Sequence, residues 1–292
     1  MRLHLLDGTY ELFRAHHAPG PSRHAPDGRD VKASVGVVAS LLALLDDAEE
    51  APTHLAVAFD RPIESFRNER FSGYKDSTGV PEALLAQLEG VEQAVTALGV
   101  VVWSMDTYEA DDALATAAVR FVDRVEQVRV LTPDKDLAQV VSGERIVQVD
   151  RMRSTVRDEA GVRERFGVPP ASIPDLLALV GDAADGLPGV PGIGARSAAA
   201  LLARYGHLEA IPADPEDWDV TVRGAARLAA QFAAHRQQAL RDRELARLVT
   251  DVHLAHDLDE LAWAGVPRER FEAWCDEVGA GRLRGRPRRW AA

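Results

Sequence analysis

His54-Leu-Ala-Val-Ala-Phe-Asp60 is a run of five apolar residues closed by a carboxylate. It is too short for a helix and too uniformly apolar for a strand with one face in water. The run reads as a strand buried on both sides, as in a parallel sheet. Leu3 to Leu6, closed by Asp7, repeats the pattern, and Val100 to Trp103, Val128 to Leu131 and Ile146 to Val149 are further runs of this kind. Between them Val35 to Leu45, Leu84 to Leu98 and Ala110 to Val122 carry Ala and Leu at helical spacing. Strands alternating with helices predict an α/β domain over 1–170, a mainly parallel sheet with helices on both faces.

The texture changes further on. Ser172 to Val180, Ala195 to Tyr205 and Gly224 to Leu248 read as helices, punctuated by glycine and proline from Gly186 to Gly194, which predicts a helical lobe over 171–255. A C-terminal segment over 256–292 ends in Arg282, Arg284, Arg286, Arg288 and Arg289 with no acid among them, and is expected to be a frayed basic tail. Arg61 to Pro81 follows a strand, lacks an apolar period and holds Phe66, Phe71, Tyr74 and Lys75. Long irregular loops in compact domains are often functional lids.

Composition narrows the function classes. The 292 residues are about two domains' worth, and 46% hydrophobic with 27% charged residues is the balance of a folded globular chain. A net charge of −12 argues against holding nucleic acid by bulk positive charge, so any such partner must be met locally. The single cysteine, Cys275, excludes an internal disulfide and a cysteine-built zinc site. No apolar stretch approaches the roughly 18 residues of a membrane span, and Asp7 interrupts any signal-peptide core, so a cytoplasmic protein with no membrane partner is expected. Lys32, Lys75 and Lys135 are the only lysines among 34 basic residues, which marks each as a position that uses a compact ammonium.

The acids are distributed unevenly. Asp7 and Asp60 end strands; Glu109, Asp111 and Asp112 open a helix after a third; Asp134 and Asp136 follow a fourth. The carboxyl ends of parallel strands share one rim, so these seven are expected to converge on one cleft. Asp is common in turns and at helix N-caps, which accounts for any one of them. As a set they gather like charges that need a cation. Oxygen-only ligands favour Mg²⁺ or Mn²⁺ over Zn²⁺. Glu109 and Asp112 lie one helical turn apart, and Asp182 and Asp185 repeat that spacing. A carboxylate site for two ions suits phosphodiester hydrolysis, one ion activating water and both stabilising the displacement.

Gly189-Val-Pro-Gly192-Ile-Gly194 precedes a helical Ala195-Arg-Ser-Ala-Ala-Ala. Glycines before a helix N-terminus let backbone N–H groups approach a phosphate. The run resembles the helix-hairpin-helix element that grips a DNA backbone without reading sequence, which accommodates the acidic charge.

Taken in order, Leu-Leu-Asp7-Gly-Thr, Ala-Phe-Asp60, Phe-Arg67, Tyr74-Lys75, Glu109-Ala-Asp-Asp112, Thr-Pro-Asp134-Lys-Asp136 and Gly-Asp182-Ala-Ala-Asp185-Gly followed by the glycine hairpin resemble the 5′-nuclease, or flap endonuclease, family. The likeness is to the 5′ to 3′ exonuclease domain of bacterial DNA polymerase I and its stand-alone relatives, spans about Met1 to Leu254, and leads to the expectation that no polymerase domain follows. It implies a PIN-like α/β core, an arch or gateway loop over about 61–90 and a helix-three-turn-helix lobe. The activity implied is that of a flap endonuclease and 5′ to 3′ exonuclease, giving 5′-phosphate products in primer removal and repair. Asp7, Asp60, Glu109, Asp111, Asp112, Asp134, Asp136, Asp182 and Asp185 fall on the family's metal acids. Arg67 and Lys75 fall on its catalytic gateway, Tyr74 on its strand clamp, and Gly189, Gly192, Gly194 and Ser197 on its duplex grip, where relatives can bind K⁺. The implied partner is DNA with a 5′ flap, nick or 5′ end, RNA-primed or not, bound by a monomer. The family often has glycine where this chain has Pro133, Asn-Ile where it has Gly186-Leu187, and further basic residues after Tyr74-Lys75, where this chain has none up to Glu82. A non-catalytic branched-DNA binder and a PIN-type ribonuclease are the alternatives.

Overall fold

A computed structural model describes all of residues 1–292. The elements run β1 (Arg2–Asp7), α1 (Gly8–His17), α2 (Lys32–Leu45), β2 (His54–Asp60), α3 (Phe66–Arg70), α4 (Glu82–Leu85), α5 (Leu88–Ala97), β3 (Val101–Met105), α6 (Ala110–Phe121) and β4 (Gln127–Leu131). They continue with β5 (Ile146–Asp150), β6 (Thr155–Arg157), α7 (Glu159–Phe166), α8 (Ile173–Val180), α9 (Ala195–Tyr205), α10 (Ala225–Ala234), α11 (Arg236–Ala246) and α12 (Arg268–Glu277). Two compact units result, each built from separate stretches: Met1–Ser65, Ser77–Thr132 and Thr250–Ala292 form the first, Phe66–Asp76 and Pro133–Val249 the second. This partition differs from a cut at residue 170, because Pro133 onward belongs with the helices and the last stretch returns to the first unit.

In the first unit four strands pair in parallel in the order β3-β2-β1-β4, with Leu3 opposite His54 on one side and Val128 on the other. Leu3, His4, Leu5 and Leu6 of β1 and Leu55 to Phe59 of β2 are all buried. Neighbouring strand residues point to opposite sides, so both faces of this sheet are covered. Truncating such a leucine to alanine costs about 3 kcal/mol. Chain reversal after β1 takes no loop: α1 begins at Gly8, where a Cβ would sit 2.5 Å from the Phe59 ring. Only glycine lets that helix start against β2.

Leu84 to Leu98, expected as one helix, is two. Gln87 at the break is buried, and its Oε1 accepts the N–H groups of Ala33 and Ser34 at 3.1 and 3.3 Å. α2 has no N-cap side chain of its own, so the break in one helix supplies the cap of another. The basic C-terminal stretch is ordered rather than frayed. Val266 pairs with Trp290, whose ring lies 3.9 Å under the Arg268 guanidinium, and Trp263 donates its indole N–H to Leu98 O at 3.0 Å. Two tryptophans and paired backbone outweigh the mutual repulsion of the arginines.

Buried His4 lies 2.9 Å from Glu50 Oε2, and Arg129 grips both Glu50 oxygens at 2.7 and 2.8 Å. The His4 hydrogen bond and the Arg129 fork hold the Glu50 pKa at about 2, while burial lowers that of His4.

The second unit joins an antiparallel β5-β6 pair to helices α7 to α11 around a core that includes Leu177, Val190, Ile193, Leu201, Phe232 and Leu245. Gly224 to Leu248, expected as one helix, breaks at His235 into α10 and α11. Tyr74 is part of this core and Phe71 packs against it, which is why the stretch 66–76 belongs here. No helix of either unit is long and apolar enough to cross a membrane.

Candidate active site

In the first unit the expected acids sit at strand ends and helix starts. Asp7 caps α1, its Oδ1 accepting the Tyr10 N–H at 2.8 Å and its Oδ2 the Thr132 hydroxyl at 3.0 Å. Asp60 Oδ1 accepts the Ala110 N–H at 2.7 Å, at the first residue of α6. Glu109 and Asp112 form a capping box: Asp112 Oδ2 accepts the Glu109 N–H at 3.0 Å, and Glu109 Oε1 takes the Ser65 hydroxyl at 2.8 Å. Asp111 is half-buried in the same turn. These carboxylates stand where helix dipoles favour negative charge.

In the second unit Asp136, Asp182 and Asp185 are all buried, with one ligand oxygen of each within 4.8 Å of the others. Asp134 lies exposed beside them and accepts the Asp136 N–H at 2.9 Å. Asp182 and Leu187 exchange backbone hydrogen bonds at 2.8 Å, closing the turn that carries two of the acids. Gly186 within it has φ +76, and a Cβ there would overlap the Gly73 carbonyl oxygen, which accounts for glycine in place of the family's asparagine. Lys75 Nζ is 3.1 Å from Asp185 Oδ1, and Lys135 Nζ pairs with Asp182. Burial, with Asp134 and Asp185 near, lifts the Asp136 carboxyl well above its ordinary range. Burial opposes charge on Lys135, but Asp136 and Asp182 outweigh it and raise its pKa. Lys135 is absent from the sequence-derived site; its rarity as one of three lysines is the signal that points to it.

The donor set fits a hard divalent cation. It is made of carboxylates alone, and Asp136 Oδ1 is buried with no hydrogen-bond donor.

The gateway residues divide. Lys75 is partly exposed and faces the triad, with its backbone N–H on Asp185 O at 3.2 Å. Tyr74 is buried in the core. Arg67 is 1% exposed, and its Nε and Nη2 donate to the carbonyls of Leu245 and Arg247 at 2.7 and 3.1 Å, at the C-terminus of α11. In the glycine hairpin Gly189 is buried, Gly192 and Gly194 are exposed, and Ser197 is half-buried in the first turn of α9. Gly194 precedes α9 without a side-chain cap, and a Cβ on it would meet nothing within 4 Å, so the first N–H groups of α9 are approachable.

Residues 2–167 match a family described as 5′-3′ exonuclease, N-terminal resolvase-like domain, and residues 168–269 one described as 5′-3′ exonuclease, C-terminal SAM fold. The chain is 36% identical over 289 residues to DNA polymerase I of Mycobacterium leprae (strain TN), covering 97% of this chain and 31% of that protein. It thus spans about a third of the length of such relatives. It is 32% identical over 210 residues to a 5′-3′ exonuclease of Aquifex aeolicus (strain VF5), covering 72% and 71% of the two chains. In fold it resembles the T5 5′-exonuclease bound to zinc, with TM-score 0.66 at 16% identity over 96% of this chain and 99% of that one. The catalytic core of Rad2 in complex with DNA substrate gives TM-score 0.62 at 13% identity over 95% and 88%.

Proposed function

The chain belongs to the 5′-3′ exonuclease family, and from that premise we propose that it is a divalent-metal-dependent, structure-specific 5′ nuclease. Its substrate is DNA with a 5′ flap, nick or 5′ end, RNA-primed or not, and its products carry a 5′-phosphate, as primer removal and repair require. We read it as a cytoplasmic monomer.

One observation carries the reading: a buried carboxylate triad held by two ammoniums, one of them on the gateway stretch. In the second unit Asp136, Asp182 and Asp185, with Asp134, would hold Mg²⁺ or Mn²⁺, and in the first unit Asp7, Asp60, Glu109, Asp111 and Asp112 are the acids that would do so. Bound divalent ions supply water activation and stabilise charge on the phosphate in an in-line displacement. The chain's own part is placement. The buried Tyr74 ring fixes the backbone beside Lys75, and the Lys75 N–H on Asp185 fixes its approach, leaving the ammonium free to turn from Asp185 to a phosphate oxygen. Arg67, interior and bound to carbonyls, serves by holding its segment on α11. In the hairpin of Gly189, Gly192, Gly194 and Ser197, the exposed Gly192 and Gly194 would meet the duplex backbone, the buried Gly189 anchors the turn, and K⁺ would be held beside Ser197 at the start of α9.

The test is product analysis on 5′-labelled flap, nicked and gapped DNA and on a matched RNA flap, in Mg²⁺, Mn²⁺ and Ca²⁺. Cleavage of 5′-ended DNA structures in Mg²⁺ or Mn²⁺ but not Ca²⁺ is expected. Binding without cleavage would make the protein a branched-DNA binder, and preference for single-stranded RNA would make it a ribonuclease.

A further inference from the structure

We propose that α11 is a strut that sets the spacing between the glycine hairpin and Lys75, with Gln238 and Asp242 as its positioning residues; this rests on the nuclease reading above. Near the start of the helix, Gln238 Nε2 donates to the Gly189 carbonyl at 2.8 Å and to Asp242 Oδ2 at 3.3 Å. Gly189 is a fixed point. Its φ is +70, and a Cβ there would lie 2.5 Å from Gly181 N and Val180 C, so the backbone is wedged against the end of α8.

Asp242 is fully buried, and its other oxygen takes Nε and Nη2 of Arg241 at 3.0 and 2.6 Å. The Arg241 guanidinium in turn lies 4.0 Å from the centre of the Phe71 ring, four residues before Lys75. One buried carboxylate therefore orients a donor that reaches the hairpin and a cation that reaches the gateway stretch. A buried charge is costly unless its donors are well placed, and here both donors serve elements that bear on the reaction.

The far end of the helix is fastened as well. Arg67 takes the carbonyls of Leu245 and Arg247, and Gln139 takes that of Ala246 at 3.1 Å. Gln139 belongs to the 3-10 turn over 136–140 that carries Asp136. From Gln238 to Leu245 the helix rises about 10 Å, a span too short to bend appreciably. A duplex seated on the hairpin is thus held at a set distance from Lys75 and Asp136, and that distance selects the phosphate that is cut.

Gln238→Leu removes both hydrogen bonds at nearly constant volume, and Asp242→Asn removes the charge at constant shape. With the full chain in excess over a 5′-flap duplex in Mg²⁺, we expect Gln238→Leu to slow single-turnover cleavage about tenfold and to spread product lengths over neighbouring phosphates. The Kd for the same duplex in Ca²⁺ should change less than about threefold. Asp242→Asn should give the same spread. Product length is read on cleaved strands alone, so a variant that is merely less stable still cuts at the wild-type phosphate. Products of wild-type length from both variants, or a loss confined to Kd, overturn the strut while leaving the nuclease reading intact. A wild-type chain that cuts none of the 5′-ended substrates overturns that reading and the strut with it.

Discussion

The acids of the two units are held in opposite ways. In the first, Asp7, Asp60 and Glu109 accept hydrogen bonds from N–H and hydroxyl groups at the starts of α1 and α6, so each carboxylate is also a piece of secondary structure. In the second, Asp136, Asp182 and Asp185 crowd together against the ammoniums of Lys75 and Lys135, and Asp136 Oδ1 accepts no hydrogen bond, with Lys135 Nζ 4.0 Å away. In the first arrangement each carboxylate supports a helix start whether or not metal is bound. The second stores repulsion that a divalent ion relieves. The difference teaches that the same residue type can be built in as framework or kept poised, and that burial with unmet acceptors, rather than charge alone, marks the poised kind.

The sharpest way to break this contrast is to remove one acid of each kind. Asp7→Ala and Asp136→Asn should each lower cleavage in Mg²⁺ by at least about a thousandfold. Their metal-free stabilities should diverge. Asp7→Ala loses the α1 cap, worth about 1 kcal/mol, and should lower Tm by about 2 °C. Asp136→Asn removes a desolvated charge and should leave Tm unchanged or raise it. Ca²⁺ at a hundred times its Kd should stabilise the wild type by about 2.7 kcal/mol, and that gain should vanish in Asp136→Asn. Equal destabilisation of the two variants in melting experiments would erase the distinction.

Lys75→Ala comes next in size. Turnover on a 5′-flap duplex should fall about 10- to 100-fold while duplex affinity in Ca²⁺ changes less than about threefold. Equal losses in both would reduce Lys75 to a backbone contact.

The smallest effect sharpens the contrast from a third position. Glu50 is an acid held by a hydrogen bond from His4 and by the charge of Arg129, with a pKa of about 2. A depressed carboxylate pKa contributes stability that is complete above the unfolded value of 4.5 and lost as pH falls towards 2. Glu50→Gln should therefore cost about 1 kcal/mol at neutral pH, reduced by the solvent that reaches the carboxylate, and the gap should close on acidification. Burial lowers the His4 pKa and the Glu50 carboxylate offsets part of that, so His4 weakens the fold as pH drops below 6.5, more in Glu50→Gln than in the wild type, which opposes the closing of the gap. Denaturant melts of the two at pH 7 and pH 3 check the sign.

The strands were legible because each is a short run buried on both faces, and the five read from the chain coincide with β1 to β5 to within two residues at either end. β6, three residues long, carries too little pattern. α1 was hidden because it starts directly after β1, with Gly8 serving packing against Phe59 rather than a turn. The break at Gln87 was hidden because its purpose, capping α2, lies more than fifty residues away in sequence. The acids were visible as positions after strands, but their two modes of support were not, since these depend on which donors tertiary packing delivers. Arg67 is expected from the resemblance at the catalytic gateway; the open carbonyls at the end of α11, which bury it, are not visible in the sequence.

The interleaved chain path bears on how the molecule is made. Domains emerging from a ribosome generally fold as units, N-terminal first. Here the first unit draws its last stretch from Thr250–Ala292, and Trp263 from that stretch is what meets the carbonyls of Thr53 and Leu98. The second unit is complete by Val249. During synthesis the later-encoded unit can therefore close before the earlier one, and the strands bearing Asp7 and Asp60 gain their full cover only once Thr250–Ala292 has been translated.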